Sequence, residues 1–263
     1  MARYKLTIEY DGSRYYGWQA QKGHRTVQGE FLTVCDRLFP GIRVEFYGAG
    51  RTDSAVHALE QVAHLEVREE MPPRKLQFRI NDLLPPDIHV LKVEKADPRF
   101  HARYDAVARS YVYLIAKRRT AFNKSFCWWV KDDLDTARMR MAAEALAGRH
   151  DFRSFTDQPP SEGSTLVEVG FVDIHETSDL IAVHITGSHF LWKMVRRITG
   201  VLVETGRRKL DPVEVAGFLE HASPLPAQLT APPSGLFLHK VYYDGDPLLR
   251  GADVMPRLIN LQQ

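Results

Sequence analysis

The stretch RVEFYGAGRTDSAVHALEQVAHLEV, Arg43 to Val67, holds two strand-like runs in succession, Arg43–Tyr47 and Gln61–Val67, joined by a glycine-rich link. Ala63, Leu65 and Val67 fall on one face of the second run, the period of a half-buried strand. Working outward, Val27, Phe31, Val34, Cys35 and Leu38 repeat at helical spacing after a capping Thr26 and before Pro40-Gly41. Before them, Lys5–Tyr10 alternates like a strand and closes on the turn Asp11-Gly12. On the other side, Pro72-Pro73 introduces a helix through Leu84, and Ile88–Val93 returns as a strand. Two adjacent strands between two helices give the order strand-helix-strand-strand-helix-strand, that of a ferredoxin-like lobe.

The same order recurs about a hundred residues on. It comprises a strand Tyr111–Ala116, a helix Leu134–Ala147 entered at Asp133 and stopped at Gly148, and strands Leu166–Ile174 and Leu180–Thr186. A helix Lys193–Thr205 stopped by Gly206 and a strand Leu236–Tyr243 complete it. The sequence therefore predicts an α+β chain of two ferredoxin-like or RRM-like lobes, 1–104 and 105–263, with mainly antiparallel sheets around a central cleft. Pro159-Pro160 and Leu225–Pro233 read as loops.

Composition narrows the class. Apolar residues at 44% and charged residues at 26% are globular values, and 35 Lys+Arg against 33 Asp+Glu leave only +2, so any nucleic-acid surface has to be local. Cys35 and Cys127 sit far apart among apolar neighbours, as buried free thiols do. ARYKLTIEY carries no signal-like apolar core and no run is long enough to span a membrane, which predicts a cytoplasmic protein without membrane contact.

Within the link, Gly48 and Gly50 deliver Arg51-Thr52-Asp53. A tight surface turn explains those residue types. So does a cleft residue: Asp53 as nucleophile or base, kept ionised by a neighbouring cation. His57 and His64 with Asp53 invite a metal reading, but seven residues between the histidines fit neither a helix face nor a strand face. Ser54, His57 and Asp53 hint at a hydrolytic triad without the elbow that presents its serine. Further along, Lys193, Arg196, Arg197 and Gly200 share one helix face, extended by Arg207, Arg208 and Lys209. Their pattern suits either a solvated face or a phosphate-binding one. His189, Phe190 and Trp192 could stack an exposed base, and Tyr111 and Tyr113 lie on one face of their strand.

Taken in order, YDGSRYYGWQ with TVQ, GAGRTD with VHA, NDLLP, FHARY, RSYVY, HDFRSF, ITGSHFLWKMVRRITG and GLFLHKVYY resemble the tRNA pseudouridine synthase A (TruA) family over nearly the whole chain. One departure stands in the motif: the family usually continues RTDAGVHA, whereas Ser54-Ala55 stands here for Ala-Gly. The resemblance implies the pseudouridine synthase fold and isomerisation of uridines 38 to 40 in the anticodon stem-loop of tRNA by a homodimer, with neither cofactor nor metal. It implies that Asp53 is the nucleophile, Arg196 its cation and Tyr111 the residue against the uracil. Arg51 would enter the RNA where the base has flipped out, with Lys193 and Arg197 as further substrate contacts. A non-catalytic RNA-binding protein on the same scaffold is the alternative.

Overall fold

The computed structural model describes residues 1–157 and 163–249; Pro159-Pro160 lies outside them. The chain divides into two compact units, Met1–Val107 with Phe237–Asp246, and a second built on Ala108–Leu236.

In the first unit, β1 (Ala2–Tyr10) is the central strand. Tyr4, Leu6, Ile8 and Tyr10 alternate inward and are almost wholly buried, each aliphatic side chain contributing about 1.5–3 kcal/mol. The Tyr4 hydroxyl, buried with them, donates to Met71 O and accepts from Met71 N, both at 2.8 Å. Helix α1 (Val27–Leu38) begins where Thr26 Oγ1 accepts from Gly29 N, and buries the five residues whose spacing predicted it. β2 (Glu45–Gly48) and β3 (His57–Val67) follow, then α2 (Pro73–Asn81) and β4 (Ile88–Lys95). β1 pairs antiparallel with β3 on one side and β4 on the other, and β2 lies beyond β3, which is the ferredoxin-like order.

The second unit opens with β5 (Ala108–Ala116), against which the two-residue β6 (Trp128–Trp129) runs parallel. Helix α3 (Thr136–Glu144) is capped by Asp135, whose carboxylate accepts from Arg138 N. β7 (Gly148–Asp151), β8 (Leu166–Glu176) and β9 (Leu180–Gly187) come next, and the antiparallel order is β5-β9-β8-β7. Helices α4 (Met194–Gly206), α5 (Glu214–Glu220) and α6 (Leu225–Gln228) complete it. α3 packs against both α4 and β8.

Four expectations change. The last strand, β10 (Leu236–Tyr242), read as part of the second lobe, joins the first unit from Phe237 onward, pairing parallel with β3 at Phe237↔His57 and Leu238↔Ala58. That pairing, with Tyr10↔Ala58 from β1, starts β3 at His57, four residues before the apolar alternation begins. Gly148 opens β7 after α3 has already ended at Glu144, because the following residues pair with β8. The expected loop Leu225–Pro233 contains α6, where Pro226 sits in the first turn and its missing N–H costs nothing.

Both cysteines are buried and free, and burial pushes the Cys35 thiol up to about 12. Among the described residues no helix is long and apolar enough to cross a membrane.

Candidate active site

The link between β2 and β3 is held by backbone bonds along its length, with side-chain bonds from Thr52 and Ser54. Ala49 N donates to Val62 O at 2.7 Å and Gln61 Nε2 to Gly50 O at 3.1 Å, fixing the entrance. Beyond it, Trp18 N donates to Thr52 O at 3.1 Å, Ala55 N to Tyr15 O at 3.2 Å and Val56 N to Asp53 O at 3.2 Å. Thr52 is buried with its hydroxyl 2.8 Å from Tyr10 Oη, and Ser54 Oγ donates to Tyr15 O. The clamp is the segment after β1, residues 11–18. Gly12 and Gly17 are its closest points: a Cβ at Gly12 would stand 2.0 Å from Val56 O, and one at Gly17, which also has φ +84°, 2.5 Å from Thr52 O. Sequence reasoning gave YDGSRYYGWQ no role, although its glycines and its aromatic run mark a backbone fitted against another backbone.

The clamped loop presents Arg51 exposed and Asp53 half-buried, with Thr52 turned inward between them. This alternation separates a structural residue from two that face outward. His57, 1% exposed, accepts from Gly12 N through Nδ1 at 3.0 Å and stacks on Phe237. His64 accepts from Ala102 N through Nδ1, and burial, then His101 and Arg3, push its pKa down to about 4. Both histidines are therefore committed to the core, at separate places along β3. Neither the metal reading nor the Ser54–His57–Asp53 triad gains support from this arrangement.

In the second unit, Tyr111 on β5 is half-buried and meets the Phe190 ring edge-to-face at 5.1 Å. Tyr113, two residues on, is fully buried and donates to Pro232 O at 2.7 Å. Arg196 is half-buried on α4, its Nε donating to Ala231 O at 2.7 Å while Ala231 N donates to Arg196 O at 3.1 Å. That reciprocal pair fixes the helix to the segment before β10 and orients the guanidinium.

The helix face read as an open basic surface is largely occupied. Arg197 is 4% exposed and ion-paired with Asp157, and Lys193 Nζ lies 2.7 Å from the other oxygen of the same carboxylate. The two cations hold Asp157 below the usual carboxylate range, Lys193 most strongly. Arg197 is thus an internal tie between α4 and residues 154–157. Lys193, in a left-handed conformation at φ +62°, stays partly accessible above the Trp192 ring. Past the helix, Arg207 pairs with Asp132 and Glu204, and Arg208 with Asp135, so that charge is mostly balanced.

A family model described as tRNA pseudouridine synthase matches residues 6–105 and 142–244, which contain this loop, its clamp and α4. The chain belongs to the tRNA pseudouridine synthase A (TruA) family. It is similar to tRNA pseudouridine synthase A of Thermoanaerobacter sp. (strain X514), 38% identical over 245 residues, 92% of this chain and 100% of that protein. Likewise it is 39% identical over 245 residues to tRNA pseudouridine synthase A of Bacillus subtilis (strain 168), covering 92% of this chain and 99% of that one. The α+β architecture with its mainly antiparallel strands is that of the pseudouridine synthase fold. Tyr111 falls between the two matched segments.

The departure from the family motif has a visible consequence. Ala55, standing where the family usually has glycine, adopts φ +61°, the left-handed region that costs an L-residue roughly 1–2 kcal/mol. Ala55→Gly removes that strain but loosens the unfolded chain. The net expectation is a gain of about 0.5 kcal/mol, with a slightly raised urea midpoint and an unchanged denaturant slope.

Proposed function

We propose that this chain is a tRNA pseudouridine synthase, an isomerase that converts uridine to pseudouridine at positions 38 to 40 of the anticodon stem-loop. The supporting observation is Asp53: a half-buried carboxylate on the loop between β2 and β3, which backbone bonds clamp to residues 11–18, in a chain of this family. The reaction breaks the bond from N1 to C1′ and joins C5 to C1′; the proton leaving C5 goes to solvent and N1 gains one. Nothing is oxidised and no group is lost, so the chemistry asks for a placed carboxylate and proton transfer.

Asp53 acts as the nucleophile, on the base or on C1′. Arg196 holds it ionised and oriented, as an opposite charge within reach does. Tyr111 supports the uracil ring, and its half-buried ring braced by Phe190 suits that work. A uridine stacked in a stem has to leave it before its glycosidic bond can be reached, and exposed Arg51 fills the vacancy by stacking and phosphate contact. Lys193 contacts backbone phosphate. The working form is a homodimer in the cytoplasm, where tRNA and buried free thiols both belong.

Incubation with tRNA labelled with tritium at C5 of uridine tests this. Tritium should appear in water in proportion to pseudouridine mapped at positions 38, 39 or 40. Tight tRNA binding without release would leave a non-catalytic RNA-binding protein and refute the enzyme.

A further inference from the structure

Strands β8 and β9 carry Asp173, His175 and His184 together. Asp173 and His175 are two apart on β8 and therefore share a face, while His184 stands directly opposite Asp173 in the register. Their ligand atoms, a carboxylate oxygen and one nitrogen from each imidazole, all lie within 4.8 Å of one another. We propose that these three residues bind a single divalent transition-metal ion of the zinc class, at a site separate from the proposed isomerase residues and independent of that reading.

Several features favour an ion over a hydrogen-bonded cluster. The alternate residues of β8 turn to the helices: Arg140 of α3 donates to Ile174 O, and Thr136 donates to Glu176. Asp173, His175 and His184 lie on the face opposite the Ile174 and Glu176 side chains. His175 Nε2 is buried without a hydrogen-bond partner, a loss that a coordinate bond would make good. Directly across from His175 stands Ala182, whose small side chain leaves the imidazole room to lean toward Asp173 and His184. On the inner side His184 is fully buried, with Phe171 edge-to-face at 5.0 Å, while Asp173 and His175 are half-exposed and leave a path for entry.

The donor set identifies the ion. Two imidazole nitrogens and one carboxylate oxygen suit Zn²⁺, and Co²⁺ as its spectroscopic stand-in, whereas Ca²⁺ and Mg²⁺ want oxygen throughout. Bonds of about 2.0–2.2 Å set tetrahedral donors roughly 3.3 Å apart, so side-chain rotations closing the cluster by about 1.5 Å suffice. Water completes the fourth position. The bound ion would fasten β8 to β9 and stabilise the second unit by mass action.

The test uses the full, tag-free chain after chelator treatment. Co²⁺ should bind one per chain, giving the visible absorption of a four-coordinate site that Zn²⁺ abolishes by competition, and Zn²⁺ should raise the Tm. His175→Ala is expected to weaken binding at least about 100-fold, the upper end of what loss of a merely supporting group costs. Asp173→Asn, nearly isosteric, should also weaken it and remove most of the Tm shift; it reads the site even if the histidine variant misfolds. Absence of saturable Co²⁺ or Zn²⁺ binding in the micromolar range would overturn the proposal. So would binding unchanged in both variants, which would place the ion on other histidines.

Discussion

Asp53→Asn is expected to reduce tritium release from C5-labelled tRNA by about 10⁴-fold or more, with the Tm and tRNA affinity close to those of the unmodified chain. The separation of effects follows from how the loop is built. Trp18 N to Thr52 O, Ala55 N to Tyr15 O and Val56 N to Asp53 O are backbone bonds, which the substitution leaves in place. Asparagine keeps the size of the side chain and removes its charge and nucleophilicity, so the chemical step loses its central group while the scaffold does not. A variant retaining more than about a tenth of the rate would remove Asp53 from the role of nucleophile. A variant that no longer binds tRNA would instead make the carboxylate a binding determinant. The labelled substrate reports the chemical step alone, so a change in affinity cannot pass for a change in catalysis once tRNA is saturating.

Asp53 could be singled out in the sequence as a candidate; the parts that hold its loop could not. β1 and α1 could be read because their apolar periods are local properties, and Thr26 marks the helix start by its own chemistry. The first residues of β3 and the whole of β7 escaped because their pairing partners, β10 and β8, are distant in the chain and leave no local period. The same division separates the cations. Helical spacing set Lys193, Arg196 and Arg197 on one helix face, but α4 begins only at Met194, and the spacing says nothing about what covers that side. Residues 154–157 cover Arg197 and 229–231 cover part of Arg196, so one open basic face became an internal ion pair and an anchored guanidinium. The clamp 11–18 was recognisable as a motif yet mute as to purpose, since its work is done by backbone groups whose partner is the loop itself.

Those tertiary covers carry the second large expected effect, that of Gly200→Ala. Gly200 lies in α4, and a Cβ at that position would stand 1.6 Å from Leu229 O and 2.7 Å from Leu229 C, distances that no rotation of a side chain can relieve because both atoms are backbone. Either the helix or the 229–231 segment has to move. Overpacking of this kind costs about 3 kcal/mol, the upper end for an inserted methyl, against which alanine's better helix propensity returns about 1 kcal/mol. The urea midpoint should therefore fall clearly. Gly217→Ala in α5 is the control: its Cβ would meet nothing within 4 Å, so the same exchange should stabilise by up to about 1 kcal/mol. Displacing 229–231 also breaks the reciprocal bonds between Arg196 and Ala231, so the rate of tritium release should fall further than the folded fraction does. A Gly200→Ala chain as stable as the original would mean that α4 and this segment are not in contact. One destabilised but fully active when folded would separate the anchoring of Arg196 from its proposed part in holding Asp53.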